Sequence, residues 1–356
     1  MTTNLLFICG SLNQTTQMHQ IAQQLADYNC YFSPLYADGI EDFAARRGWL
    51  NRTALGGRHK QDTCNYLAEN HLLVDYRGEE RDYDLVVICT DAIVPKNVRH
   101  KRLVLVQEGI TVPEGLAYQL VHTFNFLPRY LANTAATGLS DSYDLFCVAS
   151  EGYRDLFIRK GVRPEKIAVT GIPNFDNLQE FRVNDFPYRG HVLVATTPLR
   201  ESMQFEDRWA FLRRCVQIAN GRQLIFKLHP LENVERARWE IKCVAPNALV
   251  FTSGNVNPMI ANADVVITQQ STCTYVALAL EKETYSQLDI RELTRLMPLQ
   301  NNGDSARRIA ALCKEVLYTP MPVLESMRKL PRERAKVPAS ASSKQMPKSR
   351  WETLKM

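Results

Sequence analysis

The 356-residue sequence lacks any apolar run approaching the roughly 18 residues that span a bilayer. Its first residues, Met1-Thr2-Thr3-Asn4, carry no basic segment, and the apolar run after them reaches only from Leu5 to Cys9. Neither a signal peptide nor a membrane anchor is expected there, and the expected location is the cytoplasm. None of the nine cysteines belongs to a C-x-x-C pair, so no zinc site or disulfide framework is legible. Cys9, Cys89 and Cys147 sit in or beside apolar runs and read as small buried hydrophobes of a reducing compartment. G-x-G-x-x-G and Walker A motifs are both missing, which leaves dinucleotide and ATP binding without support. Basic excess is missing as well, once the C-terminal tail is set apart. From Arg328 to Met356 nine basic and two acidic residues give +7, so the net charge of +5 leaves −2 on the remainder. That remainder has no electrostatic footprint for nucleic acid.

What is present is the composition of a soluble globular protein, 45% hydrophobic and 23% charged, at a length that suits two domains. Short apolar runs alternate with helical patterns. Leu5–Cys9 reads as a strand buried on both faces, ending in Gly10-Ser11, and Met18, Ile21, Ala22 and Leu25 place one apolar stripe on the helix that follows. Further strands are expected at 29–36, 85–88, 103–106, 145–148 and 167–169, with helices near 62–70 and 151–160. The second half repeats the pattern, with strands at 191–195, 223–226, 248–251 and 265–267. Its helices are expected at 207–219, 234–242, 272–280 and 304–317. Strand–helix alternation with apolar strands implies open parallel sheets. Pro173, Pro187 and turn formers place a boundary between Asn174 and Arg189. The expected division is 1–180, 181–318 and a basic, disordered tail at 319–356.

In doubly wound sheets ligands meet the carboxyl ends of strands, so residues just past strands rank first. Lys227-Leu228-His229-Pro230 offers a cation, an imidazole and a fixed loop to an anionic diphosphate; an ordinary strand end with a capping His is the competing account. Gln270-Ser271-Thr272 opens a helix, where hydroxyls and unpaired N–H groups cap and can also hold phosphate. Thr197 and Arg200 follow another strand, and Arg200 is a phosphate-pairing candidate. In the first half Glu108 and Asp91 are rival general bases, each equally compatible with a capping or salt-bridged role. Gly109 favours Glu108, because it lets the backbone approach a ligand closely. Gly10 is a weaker candidate for an acceptor or phosphate loop. Asp82-Tyr83-Asp84 has the D-x-D spacing but precedes its strand, and reads as structural; His122 reads as a helix-face residue.

The run from Glu151 to Asp176, in which a helix, a strand, Gly171-Ile172-Pro173 and Asp176 succeed one another, resembles the end of the N-terminal domain of GT-B proteins. Lys227-Leu-His-Pro230 and Gln270-Ser-Thr272 resemble the K-x-H-P and Ser/Thr donor motifs of bacterial surface-polysaccharide transferases, among them the CDP-glycerol glycerophosphotransferase and capsule or polysialic-acid transferase groups. More loosely, the chain resembles non-hydrolysing UDP-N-acetylglucosamine 2-epimerases, with Asp91 and Glu108 standing for their strand-end acids. Thr197–Ser202 resembles their T-x-H-R-R-E-N segment without its histidine, and Gln270–Val276 replaces S-G-G-x-x-E-E without its carboxylates.

The resemblance covers about residues 1–318. It implies an α/β GT-B fold, two Rossmann-like doubly wound domains facing across a cleft. It implies a metal-independent glycosyltransferase moving a sugar or sugar-like group from a nucleotide-sugar donor to a hydroxyl acceptor on a glycan or glycolipid. An epimerase-like enzyme and a non-catalytic nucleotide-sugar binder are the alternatives. Lys227, His229, Gln270, Ser271, Thr272, Thr197, Arg200 and Gly10 would bind the donor, with His229, Glu108 and Asp91 as catalytic candidates and no cofactor or metal. Trp351, Leu354 and the basic tail fit either peripheral contact with an anionic membrane or plain solvation.

Overall fold

Strands buried on both faces must be apolar throughout, and this is why the runs read above form sheet interiors. The computed structural model describes residues 3–34, 47, 57–112, 114–124, 127–202 and 204–329; Leu35 and Tyr36 of the expected second strand, and the tail beyond 329 with Trp351 and Leu354, lie outside them. The described chain divides into two units, one of residues 3–176 and 298–329, the other of residues 177–297.

The first unit holds β1 (Asn4–Ile8), β2 (Asn29–Ser33), β3 (Leu73–Val74), β4 (Leu85–Ile88), β5 (Arg102–Val106), β6 (Leu145–Val148) and β7 (Ile167–Val169). They form one sheet in the order β3-β2-β1-β4-β5-β6-β7 with every pairing parallel. Its helices are α1 (Leu12–Gln23), α2 (Gly57–Glu69), α3 (Leu116–Thr123) and α4 (Glu151–Arg159). Alternate strand residues, Leu5, Phe7, Leu85, Val87, Val104 and Val106, share one core with Met18 and Ile21 of α1.

The second unit holds β8 (His191–Ala195), α5 (Arg208–Ala219), β9 (Leu224–Lys227), α6 (Val234–Val244), β10 (Leu249–Phe251), α7 (Val256–Asn262), β11 (Ala263–Thr268), α8 (Cys273–Ala279), β12 (Glu283–Tyr285) and α9 (Ile290–Arg295). The sheet order is β10-β9-β8-β11-β12, again parallel throughout. Val192, Val194, Phe226, Val265 and Ile267 form its core with Phe211, Leu212 and Cys215 of α5 and Ile241 of α6. Both sheets are built the same way. The second and third strands are laid outward from the first, and the fourth is then placed on the first strand's other side. This creates a switch point between β1 and β4 and another between β8 and β11, where strand-end loops diverge and leave room for a ligand.

The chain then returns to the first unit with α10 (Ser305–Tyr318) and α11 (Met321–Lys329). Sequence order assigned α10 to the second half, but its apolar stripe of Ile309, Ala310, Cys313 and Val316 completes the core beneath β4 and β5. Asp176 fixes the return: its Oδ1 accepts the Asn301 N–H at 2.7 Å and its Oδ2 the Ser305 N–H at 2.6 Å, capping α10 from outside the helix. Gly171 is required beside this cap, because it has φ +84° and a Cβ there would stand 2.2 Å from Ser305 Oγ. Loss of order from Thr319 was expected, yet α11 follows directly. Pro320 and Pro322 sit before and within its first turn, where proline is tolerated. Leu324 joins the core, and Arg328, counted with the basic tail, binds both oxygens of Asp144 at 2.7 Å. Among the described residues no helix is long and apolar enough to cross a membrane.

Candidate functional site

In the second unit β8, β9 and β11 are neighbours, so the loops after Ala195, Lys227 and Thr268 share one edge. Lys227 is 8% exposed and its Nζ donates to Leu228 O at 3.1 Å. The backbone N–H of partly buried His229 donates to Glu232 Oε2 at 2.9 Å and lies 3.2 Å from Thr196 Oγ1. His229 Nδ1 accepts the Leu231 N–H at 3.2 Å, which leaves Nε2 to carry the proton of the neutral ring. Thr196 Oγ1 also donates to Glu232 Oε2. Glu232 is therefore the residue that folds Lys-Leu-His-Pro into a tight turn. Its signal in the sequence was only a carboxylate three positions after the histidine. Burial pushes the Glu232 carboxyl above its usual range, while the Thr196 hydroxyl and the Arg208 guanidinium pull it back.

The loop after β11 is tied to the loop after β8. Gln269 is fully buried; its Nε2 donates to Glu206 Oε1 at 2.8 Å and its Oε1 accepts the Thr197 N–H at 3.3 Å. Thr197 Oγ1 is buried without a hydrogen-bond partner. Ser271 Oγ accepts the Cys273 N–H at 3.2 Å and so caps α8. Thr272, at the capping position itself, has helical backbone and makes no side-chain cap. Gln270, Ser271 and Thr272 are all partly exposed on this edge.

Arg200 was expected to meet phosphate. In the structure its Nη1 and Nη2 contact Glu240 at 2.7 and 2.8 Å, and its Nε contacts Glu206 at 3.0 Å. All three guanidinium nitrogens thus face carboxylates. Burial disfavours the ionised form of Glu240, but the fork from Arg200 outweighs it and holds the carboxyl below its usual range.

In the first unit Glu108 follows β5 and meets the start of α1. Its Oε1 accepts from Ser11 Oγ at 3.0 Å and Asn13 Nδ2 at 3.4 Å, and its Oε2 from Gln14 Nε2 at 2.5 Å. Gln107 holds the loop: its Oε1 accepts the Ala149 N–H at 2.9 Å and its Nε2 donates to Gly109 O at 2.8 Å. Asn174 donates to Asn13 O at 2.7 Å and steadies α1 from the far end of the unit. Gly10 lies under the Gln14 amide, 1.9 Å from where its Cβ would stand, so its smallness serves the Gln14–Glu108 contact. Asp91 is fully buried, with Oδ1 accepting the Gly138 N–H at 2.9 Å and Oδ2 the Ser140 N–H at 2.8 Å. It pins the loop before β6, and both oxygens are engaged. Asp82 and Asp84 stand at the opposite end of β4, Asp82 paired with Lys101 and Asp84 accepting the Asn4 N–H at 2.9 Å. His122 stacks on Tyr118 along α3. Among the described residues no three His, Cys, Asp or Glu side chains gather as a metal-binding group.

Two parallel, doubly wound sheets of this order define Rossmann-like units, and solved structures place the chain in the GT-B fold. UDP-GlcNAc 2-epimerase from Neisseria meningitidis, bound to UDP-GlcNAc, is similar at 11% identity and a TM-score of 0.53, over 88% of this chain and 100% of that one. The Methanocaldococcus jannaschii UDP-GlcNAc 2-epimerase, in complex with UDP-GlcNAc and UDP, gives 12% and 0.53 over the same shares. The wall teichoic acid polymerase TagF gives 9% and 0.51, over 92% of this chain and 90% of that one. Identities this low speak for the fold alone. No family model and no curated protein matches the sequence.

Proposed function

We propose that the chain is a transferase that moves a sugar or sugar-like group from a nucleotide-activated donor to an acceptor hydroxyl, in the synthesis of a surface polysaccharide or glycolipid. One observation carries this: the loops ending in Thr197, Lys227-Leu-His229 and Gln270-Ser-Thr272 lie side by side at the β8–β11 switch point. There an ammonium, an Nε2–H and hydroxyls are matched to a diphosphate. UDP-GlcNAc in two solved structures of the same fold supports a nucleotide-sugar ligand.

Lys227, His229, Ser271 and Thr272 hold the donor diphosphate, and the His229 Nε2–H meets the charge that grows on the leaving phosphate. Fixed donors of this kind stabilise that charge without a metal ion. Glu108 takes the proton of the acceptor hydroxyl, a task for which Asp91 is too buried and too fully bonded. Epimerisation is disfavoured because Thr197–Ser202 lacks the histidine, and Gln270–Val276 the carboxylates, of the epimerase segments they resemble.

The test is NMR of the protein with UDP-GlcNAc and related donors, with and without hydroxyl acceptors. Acceptor-dependent release of the nucleotide, lost in His229→Ala with the fold intact, is the expected result. Formation of the manno epimer without acceptor would replace the transferase by an epimerase, and binding without any turnover would leave a nucleotide-sugar binder.

A further inference from the structure

One buried arginine, one partly exposed arginine and three buried carboxylates lie beneath the loops of the second unit. Arg208, 3% exposed at the start of α5, has Nη2 3.3 Å from Glu232 Oε1, Nη1 3.3 Å from Glu206 Oε1 and Nε 3.5 Å from Glu240 Oε2. Arg200 faces Glu240 and Glu206 from the other side. Burying charge is expensive unless it is paired, and exchanging such a cluster for apolar residues is often neutral or stabilising. Stability alone therefore does not explain why five charges are placed here.

Their contacts point outward to function. Glu232 collects the His229 N–H and the Thr196 hydroxyl on one oxygen, and so joins the loops after β9 and β8. Glu206 holds the Gln269 amide, whose oxygen receives the Thr197 N–H, and so joins the loops after β11 and β8. Arg208 touches both carboxylates. One guanidinium thus anchors every loop that the donor reading uses.

We infer that Glu232 and Arg208 are positioning residues, which set the turn and the ring tautomer of His229 so that Nε2–H is presented to the donor phosphate. The consequence for donor binding rests on the transferase reading; the consequence for the His229 ring does not. Without Glu232 the His229 N–H and Thr196 hydroxyl lose their shared acceptor, the turn opens, and Nδ1 loses the Leu231 N–H that fixes the tautomer. The titratable and charged neighbours of Glu232 are Arg208 from α5, His229 from its own turn, and Glu201 from the loop after β8.

The experiment uses the full chain labelled with 15N-histidine, with the His229 signals assigned by His229→Gln. Long-range 15N–1H spectra of the wild type should show a neutral ring protonated at Nε2. Glu232→Ala should show a tautomer mixture, and Glu232→Gln, whose amide oxygen can accept the same two hydrogen bonds, should restore the single tautomer. Calorimetric titration with UDP and CDP is run on the same samples. The nucleotide that binds the wild type should bind Glu232→Ala at least about tenfold more weakly, since a displaced binding group loses affinity steeply. If Glu232→Ala fails to fold, Arg208→Lys carries the comparison, with weaker binding and a loosened tautomer expected. A folded Glu232→Ala or Arg208→Lys with an unchanged ring tautomer would overturn the inference, because a purely structural residue would move only the melting temperature. A wild type that binds neither nucleotide overturns the donor reading, and the ring spectra still decide the positioning role.

Discussion

At the scale of single residues, the site is defined by which polar groups are already spoken for. Asp91 and Glu108 follow adjacent parallel strands and only Gly109 set them apart in the sequence, but Asp91 is sealed against two backbone N–H groups while partly exposed Glu108 meets side chains at the start of α1. Glu108→Gln should therefore lower kcat by roughly 100- to 10,000-fold, the usual contribution of a general base, with donor affinity unchanged in calorimetry. Equal turnover would remove Glu108 from the mechanism. His191 gives a second prediction. It is 1% exposed at the start of β8, edge-to-face with Phe186 at 5.8 Å. Burial lowers its pKa from 6.5, Lys282 adds to this and Asp264 opposes it. The unfolded chain takes up a proton near pH 6.5 that the folded chain resists, so this residue's share of stability is whole above that pH and is lost as the pH falls through it. His191→Phe should flatten the fall of the urea midpoint on the acid side of pH 6.5, and an unchanged slope would contradict it. The sequence pointed to Lys227, His229 and Ser271 because each follows a strand whose apolar run is local. The Arg200–Glu240 pair was not legible, because its partners stand forty positions apart and no spacing rule reports such a pair.

At the scale of elements, strands were the most legible feature. Leu85–Ile88, Leu145–Val148, Ile167–Val169 and His191–Ala195 are strands with the bounds the apolar runs implied. Short β3 and β12 escaped, since two or three residues carry no periodicity. The apolar face of α10 was visible as well, but periodicity shows that a helix has a face and not which sheet it covers. Asp176 settles that by binding the N-terminus of α10, and only after the chain has passed through the whole second unit. Asp176→Ala should destabilise the first unit by about 1–3 kcal/mol, the cost of losing a cap and leaving buried N–H groups unmet. A urea titration followed by far-UV circular dichroism measures this, and an unmoved midpoint would mean that the Gly171–Ser305 packing suffices without the cap.

At the scale of the molecule, each unit has its own parallel sheet, core and switch point. The second unit offers an ammonium, hydroxyls and a histidine, which suit a donor diphosphate. The first offers a carboxylate held by three side-chain donors, which suits an acceptor hydroxyl. If fixed protein donors replace a metal, turnover should be unchanged by excess EDTA, and loss of activity restored by magnesium would contradict that assignment.

If the second unit binds a nucleoside diphosphate through the Lys-Leu-His-Pro turn, the nucleotide should stabilise the folded chain. Thermal unfolding of the full chain with CMP, CDP and UDP tests it most directly, because a ligand at 100 times its Kd adds about 2.7 kcal/mol to the folded state. CDP or UDP should raise the melting temperature by several degrees, more than CMP does, and His229→Ala should abolish the rise. A protein unmoved by all three nucleotides, or a His229→Ala variant stabilised as much as the wild type, would contradict it.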